Sequence, residues 1–238
     1  MKVLGIDTAT RIASAAVLDG GRVVAEATSQ EGEARPGGRG NHAETLIPLI
    51  DAVLQKAAVA CEQLDAIAVS IGPGSFTGIR IGLSVAKGLA YQGAAAVVGV
   101  PTLAAIAARV DDWESLICPL LDARKGEVYA GLFSRRGRDL ERLSEDAVEP
   151  VAATIEKVLA QSGAQPCLFV GDGVRMYGEL IRRALGEKAL LSSGDRYVST
   201  AASVARLGQA RIETCGRDSL ESLAPLYLRP AEAEFSRR

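Results

Sequence analysis

Two apolar runs that end in aspartate, Val3-Leu4-Gly5-Ile6-Asp7 and Leu116-Ile117-Cys118-Pro119-Leu120-Leu121-Asp122, open the two halves of this chain. Each predicts a buried strand, because an unbroken apolar run of that length suits a strand covered on both faces. A second short strand follows each one, Ile12 to Leu18 in the first half and Glu127 to Phe133 in the second. Asp19-Gly20-Gly21 makes the hairpin turn into Val23 to Thr28, since Gly accepts the positive φ of tight hairpins, and Arg135 to Asp139 supplies the later turn. A strand hairpin with Asp at the end of its first strand, then alternating helix and strand, thus occurs twice. The predicted fold is α/β, two related lobes facing a cleft, with residues 1–110 in the first and 111–238 in the second.

Between these markers the pattern is regular. Glu31 to Asn41 is rich in Gly, Pro and Arg without periodicity and reads as a mobile loop. His42 to Ala60 reads as a helix whose apolar face (Leu46, Ile47, Leu49, Ile50, Val53, Leu54, Ala57) is wider than the roughly 100° stripe of an ordinary surface helix. Leu64 to Ile71 is a strand, Gly72 to Gly78 a turn, and Ile79 to Tyr91 a helix. On that helix Gly78, Gly82, Ala86 and Ala90 recur every fourth residue, with Ser84 and Gly88 as a second series, so another backbone can approach closely. Val97 to Val100 and Leu168 to Val170 are further strands; Pro101 to Val110, Thr154 to Gln161, Val174 to Leu185 and Thr200 to Thr214 are helices.

Composition removes several functions. The 238 residues carry a net charge of −2. A pI near 5.6 argues against a stand-alone nucleic-acid binder, so RNA contact has to be local or shared with a partner. No stretch reaches the ~18 apolar residues of a membrane span, and Asp7 interrupts the first apolar run too early for a signal peptide. The four cysteines, Cys61, Cys118, Cys167 and Cys215, are scattered, as in a reducing cytoplasm, and a single histidine, His42, excludes a His-x-x-x-His metal site.

Three segments have residue types suited to chemistry. Asp7 and Thr8 at a strand end can hold a metal-phosphate pair, or simply satisfy turn backbone groups. Gly72 to Gly78 stands where a phosphate-binding turn would, but it lacks Gly-Lys-Ser/Thr, and Ser75 lies outside a Gly-x-Ser-x-Gly elbow. Its plainer reading is a tight turn with Ser75 or Thr77 capping the next helix. Asp122 and the Gly171-Asp172-Gly173 turn could cradle phosphate and adenosine, or be two ordinary turns, and Arg135-Arg136-Gly137-Arg138 reads as an exposed hairpin tip.

Val3 to Ala9, Ile71-Gly72-Pro73-Gly74-Ser75-Phe76-Thr77-Gly78-Ile79-Arg80-Ile81-Gly82 and Gly99-Val100-Pro101-Thr102 together resemble the TsaB (YeaZ) family. The resemblance continues through Leu121 to Arg124, Val170 to Gly173 and Pro225 to Arg229, and so spans the chain. It implies the duplicated actin-like fold of the sugar-kinase and Hsp70 ATPase superfamily, with two RNase H-like lobes. In the related catalytic family, TsaD, Gly-Val is followed by Asn-His-x-x-x-His, whose histidines bind the metal. Here Pro101 follows Gly99-Val100, and the histidine positions hold Thr102 and Ile106. Thr is a poor ligand and Ile offers no lone pair.

The resemblance therefore implies a cytoplasmic, non-catalytic subunit with no catalytic residue, no metal and no cofactor of its own. Its implied task is to bind and position TsaD for threonylcarbamoyl transfer to N6 of the adenosine beside the anticodon, in tRNAs reading codons that begin with A. Implied partners are TsaD, TsaE docking on the TsaB–TsaD pair, a second copy when TsaD is missing, and tRNA only through the complex. ATP or ADP enters at the level of the complex, and Asp7, Thr8, Gly171 and Gly173 are the candidates for a vestigial nucleotide cleft. The implied interface is a four-helix contact through Leu46, Leu49, Ile50, Val53, Arg80, Gly82, Leu83 and Ala86. The rival functions are a small-molecule kinase of the same superfamily and, further off, a peptidase.

Overall fold

The computed structural model describes residues 1–29, 42–137, 139–163, 165–192 and 200–229. The expected loop Glu31 to Asn41 and the tip residue Arg138 lie outside them. The elements in chain order are β1 (Lys2–Asp7), β2 (Ser14–Asp19), β3 (Arg22–Thr28), α1 (His42–Ala57), β4 (Ala66–Gly72), α2 (Phe76–Gln92), β5 (Ala96–Pro101) and α3 (Thr102–Arg109). Then follow β6 (Leu116–Asp122), β7 (Glu127–Ala130), β8 (Phe133–Arg136), β9 (Asp139–Arg142), β10 (Ala147–Pro150), α4 (Val151–Ser162), β11 (Cys167–Val170), α5 (Gly173–Leu185), β12 (Ala189–Leu191) and α6 (Ala201–Cys215).

The chain divides into two compact units, Met1–Ala105 with Ser199–Leu226, and Ile106–Val198 with Tyr227–Arg238. This differs from a single cut at residue 110, because α6 returns to the first sheet. The reason is packing that no local pattern announces. A Cβ on Gly5 would stand 2.1 Å from the Ala201 carbonyl, and one on Gly208 would stand 2.3 Å from the Ala68 Cβ. Only glycine lets helix and sheet approach so closely.

In the first unit the strand order is β3-β2-β1-β4-β5. β1 is antiparallel to β2 and parallel to β4, β2 is antiparallel to β3, and β4 is parallel to β5. Alternate residues of β1 serve opposite faces. Leu4 and Ile6 join Leu46, Ile50, Val53, Ile79 and Leu83 beneath α1 and α2, whereas Val3 joins Val204 and Ala205 of α6. Burial on both faces explains the unbroken apolar run.

In the second unit the order is β10-β7-β6-β11-β12, with β8 and β9 continuing as a hairpin from β6. β6 is antiparallel to β7 and parallel to β11, and β7 is antiparallel to β10. Each position along this path has the same direction relations as its counterpart in the first sheet. Leu120, Phe169, Val128, Ile155, Val158 and Ile181 form the core under α4 and α5. The expected strand Glu127 to Phe133 is two strands, parted at Gly131 and Leu132, where the Leu132 amide donates to Ser144 Oγ at 3.0 Å. β10 and β12 were not anticipated, being only four and three residues long.

Candidate functional site

The end of β1 points inward. Asp7 is fully buried. Its Oδ1 accepts hydrogen bonds from Ser70 Oγ at 2.5 Å and the Ala9 amide at 2.9 Å, and its Oδ2 accepts one from Thr200 Oγ1. Three donors from β4, the following turn and the start of α6 satisfy the carboxylate inside the unit. Thr8, also buried, donates its hydroxyl to the Gly78 carbonyl at 2.7 Å. Asp7 and Thr8 are therefore turn and tertiary anchors. As arranged, these side chains do not fit a metal-phosphate pair.

The Gly72 to Gly78 turn is closed in the same way. The Ser75 amide donates to the Ala9 carbonyl at 2.7 Å, and Ser75 Oγ accepts from the Gly78 amide at 3.2 Å, capping α2. A Cβ on Gly74 would lie 2.2 Å from the Ala9 carbonyl oxygen, one on Gly78 2.0 Å from the Thr8 carbonyl oxygen, and one on Gly82 2.4 Å from Thr8 Oγ1. The backbone that this small-residue series admits is thus the chain's own Thr8–Ala9. The capping reading of Ser75 holds.

In the second unit, Gly171 (φ +106°) packs so that a Cβ would meet the Leu120 carbonyl oxygen at 2.4 Å, and one on Gly173 would meet it at 3.0 Å. Both glycines serve this contact between turn and strand. The Asp122 amide donates to Asp172 Oδ1 at 3.0 Å, and Asp122 Oδ1 accepts from the Arg124 amide at 2.8 Å and the Tyr177 hydroxyl at 3.2 Å. Partial burial, then the Asp122 carboxylate, pushes the Tyr177 phenol up. Tyr177 was not foreseen; its spacing four residues after Gly173 on α5 was the available signal.

The residues implied as interface separate sharply. Leu46, Ile50, Val53, Gly82, Leu83 and Ala86 are buried within the first unit, and Leu49 packs half-buried against that core. The wide apolar face of α1 covers β2 and β3, and the Gly78–Ala90 series of α2 faces β4 and Thr8. Those six are core and not free surface, which corrects the reading of their side chains as partner contacts. Arg80 alone is exposed.

Outside that core, α1 and α2 form a groove of about 380 Å³ lined by Ala43, Phe76, Thr77, Arg80, Ile81, Ser84 and Val85. The Arg80 guanidinium lies 3.8 Å from the centroid of the Phe76 ring. Ile47 is 50% exposed on α1, and Tyr91 is 85% exposed at the end of α2. The outer small series, Ser84 and Gly88, lies on this face, and nothing stands within 4 Å of where a Gly88 Cβ would be. The sequence displayed both series; the flanking Thr77, Arg80 and Lys87 were the signal for which one faces out.

Thr102 and Ile106, one turn apart on α3, are both buried; Thr102 Oγ1 has no hydrogen-bond partner. His42 Nε2 lies 2.9 Å from the Thr10 carbonyl oxygen. Among the described residues, no three or more His, Cys, Asp or Glu side chains are grouped to hold a metal, and no helix is long and apolar enough to cross a membrane.

Residues 24–236 match the family model described as TsaD: tRNA N6-adenosine threonylcarbamoyltransferase. The chain is 30% identical to the tRNA threonylcarbamoyladenosine biosynthesis protein TsaB of Bacillus subtilis, over 98% of this chain and 96% of that protein. The crystal structure of YeaZ from Pseudomonas aeruginosa superposes with a TM-score of 0.78 at 28% identity, covering 95% of this chain and 99% of that one. Ethanolamine utilization protein EutJ from Carboxydothermus hydrogenoformans shares the fold, with a TM-score of 0.54 at 16% identity over 87% of this chain and 90% of that one.

Proposed function

The chain belongs to the TsaB family, within the group that the TsaD model spans, and from that premise we propose that it is the accessory subunit that binds and positions TsaD. The reaction it serves is threonylcarbamoyl transfer to N6 of the adenosine beside the anticodon in tRNAs reading codons that begin with A. It is not itself an enzyme. The observation that carries the reading is the outward groove of α1 and α2, where apolar side chains and an exposed Gly88 are left after the core beneath them is complete.

Several parts of the assembly follow from that role. TsaE docks on the pair of this chain and TsaD, and the same groove takes a second copy when TsaD is missing. tRNA is bound through the complex, consistent with a net charge of −2 here. ATP or ADP acts at the level of the complex, since Asp7 and Thr8 are engaged by Ser70, Thr200, Ala9 and Gly78. The matching strand orders β3-β2-β1-β4-β5 and β10-β7-β6-β11-β12 support a duplicated pair of RNase H-like lobes in a cytoplasmic protein. A peptidase reading is disfavoured, because Ser75 is a helix cap and His42 Nε2 faces a backbone carbonyl.

Reconstitution tests the role. Transfer of threonylcarbamoyl from synthetic threonylcarbamoyl-AMP to tRNA is measured with TsaD and TsaE, with and without this chain. Turnover that requires the chain, together with none from the chain alone, is the expected outcome. Equal turnover without it, or turnover by the chain alone, contradicts the proposal.

A further inference from the structure

The turn between β6 and β7 is held partly from outside itself. Arg124 (φ +64°), Lys125 (φ +55°) and Gly126 (φ +80°) are left-handed in succession, and the first two are not glycine. A non-glycine residue in that region is strained, and two in a row persist only where neighbouring contacts over-determine the backbone. Inside the turn the Ala123 amide donates to the Glu127 carbonyl and the Glu127 amide to the Arg124 carbonyl, each at 3.0 Å. Asp122 Oδ1 accepts from the Arg124 amide at 2.8 Å. The remaining hold comes from far along the chain. Arg229 Nη1 donates to the Ala123 carbonyl at 3.2 Å, and Nη2 pairs with the Glu127 carboxylate. One planar guanidinium thus grips the first and last residues of the turn together, which the single ammonium of a lysine does not do.

The gripping residue is itself placed by its neighbours in sequence. Three residues earlier, the Leu226 amide donates to the Ile71 carbonyl at 2.7 Å, and a Cβ on Gly72 would stand 2.8 Å from the Leu226 carbonyl oxygen. The side chains of Arg229 and Glu127 keep 21% and 34% of their exposure, so water competes for both and the grip is reversible. We infer that residues 226–229 are a latch: while Arg229 bridges Ala123 and Glu127 the turn keeps its left-handed form, and when the segment is displaced or removed the turn relaxes. Arg124 and Lys125 are both exposed, so the latch puts their display under the control of a segment remote in sequence. Arg229 is a positioning residue here, and its role is independent of pairing with TsaD.

The test uses the full chain and amide hydrogen exchange read residue by residue by NMR. Ala123 and Glu127 report on the turn, and Phe169 and Val170 of β11 serve as the reference. Arg229→Ala should speed exchange at Ala123 and Glu127 by at least about fivefold, with the reference amides within about twofold. Arg229→Lys keeps the charge without the fork and should give a smaller acceleration. Arg124→Gly accepts the positive φ without strain, so in that background the acceleration caused by Arg229→Ala should fall by at least about half. Thermal melting checks that each variant is folded. Acceleration below about fivefold in Arg229→Ala, or equal acceleration in β11, overturns the latch. So does an undiminished effect in the Arg124→Gly background. Failure of both Arg229 variants to fold overturns it too, because a residue the whole fold needs is no latch on one turn.

Discussion

The Thr8 hydroxyl donates to the Gly78 carbonyl at 2.7 Å, and this bond fixes the start of α2 against the end of β1. A Cβ on Gly78 would stand 2.0 Å from the Thr8 carbonyl oxygen, too close for any rotamer change to relieve. Gly78→Ala should therefore destabilise the chain by about 2–4 kcal/mol, seen as a lower midpoint in urea. Gly88→Ala should do the reverse for the isolated chain, raising stability by about 0.5–1 kcal/mol, because its Cβ meets open space. The same change should weaken TsaD association.

Leu83 and Ser84 are neighbours with opposite fates. Leu83 is 5% exposed and packs beneath α2. Leu83→Glu places an unpaired carboxylate in that core and should cost about 3–5 kcal/mol, lowering the melting temperature. Ser84 is exposed on the groove. Ser84→Trp should leave circular dichroism and melting unchanged while blocking TsaD in a pull-down. A normally folded, partner-deficient Leu83→Glu would contradict this division of the helix.

Asp7 holds three donors, and removing the carboxylate leaves Ser70, Thr200 and the Ala9 amide to find new partners in a buried place. Asp7→Ala should lower stability by roughly 3–5 kcal/mol, measured by chemical denaturation. It should have no effect on ATP or ADP titrations of the chain. A nucleotide signal abolished by Asp7→Ala in a still-folded protein would return Asp7 to a binding role.

Acid should act through Asp218. Partial burial pulls its carboxyl up, but hydrogen bonds from Arg211 and the Gly99 amide, with the Arg211 charge, outweigh that and hold it below the usual carboxylate range. A folded-state pKa below the unfolded one of about 3.9 contributes stability above that value, lost as pH falls through the folded pKa. Asp218→Asn should lower stability near neutral pH and flatten its decline below about pH 4. A decline as steep as that of the unsubstituted protein would exclude Asp218 as a source.

Thiol accessibility separates the cysteines. Cys118 and Cys167 are buried, and burial pushes the Cys118 thiol up to about 12 and the Cys167 thiol well up. Cys215 is exposed. A native thiol titration at neutral pH should label Cys215 first, Cys61 more slowly, and the two core thiols only on unfolding.

Much of this architecture could be read from the chain itself. The Asp-terminated runs, the Asp19-Gly20-Gly21 turn and the helix from His42 stand close to where periodicity put them, because each is set by local chemistry. What escaped depends on distant contacts. α6 joins the first unit through Ala201 and Gly208 against Gly5 and Ala68, and β10 and β12 are short strands fixed by their neighbours. The face of α2 escapes for a related reason: the inward and outward small-residue series have equal spacing, and the inner one is set by distant contacts with Thr8 and Val69, with the flanking Thr77, Arg80 and Lys87 as the one local sign of the outer face.

On the proposed reading, TsaD binds the outer face of α1 and α2. Hydrogen exchange of this chain with and without excess TsaD tests it most directly. New protection is expected in peptides covering residues 76–88 and the start of α1 around Ala43 and Ile47, with the amides of β6 and β11 unchanged. Protection confined to the second unit, with none on α2, would contradict it.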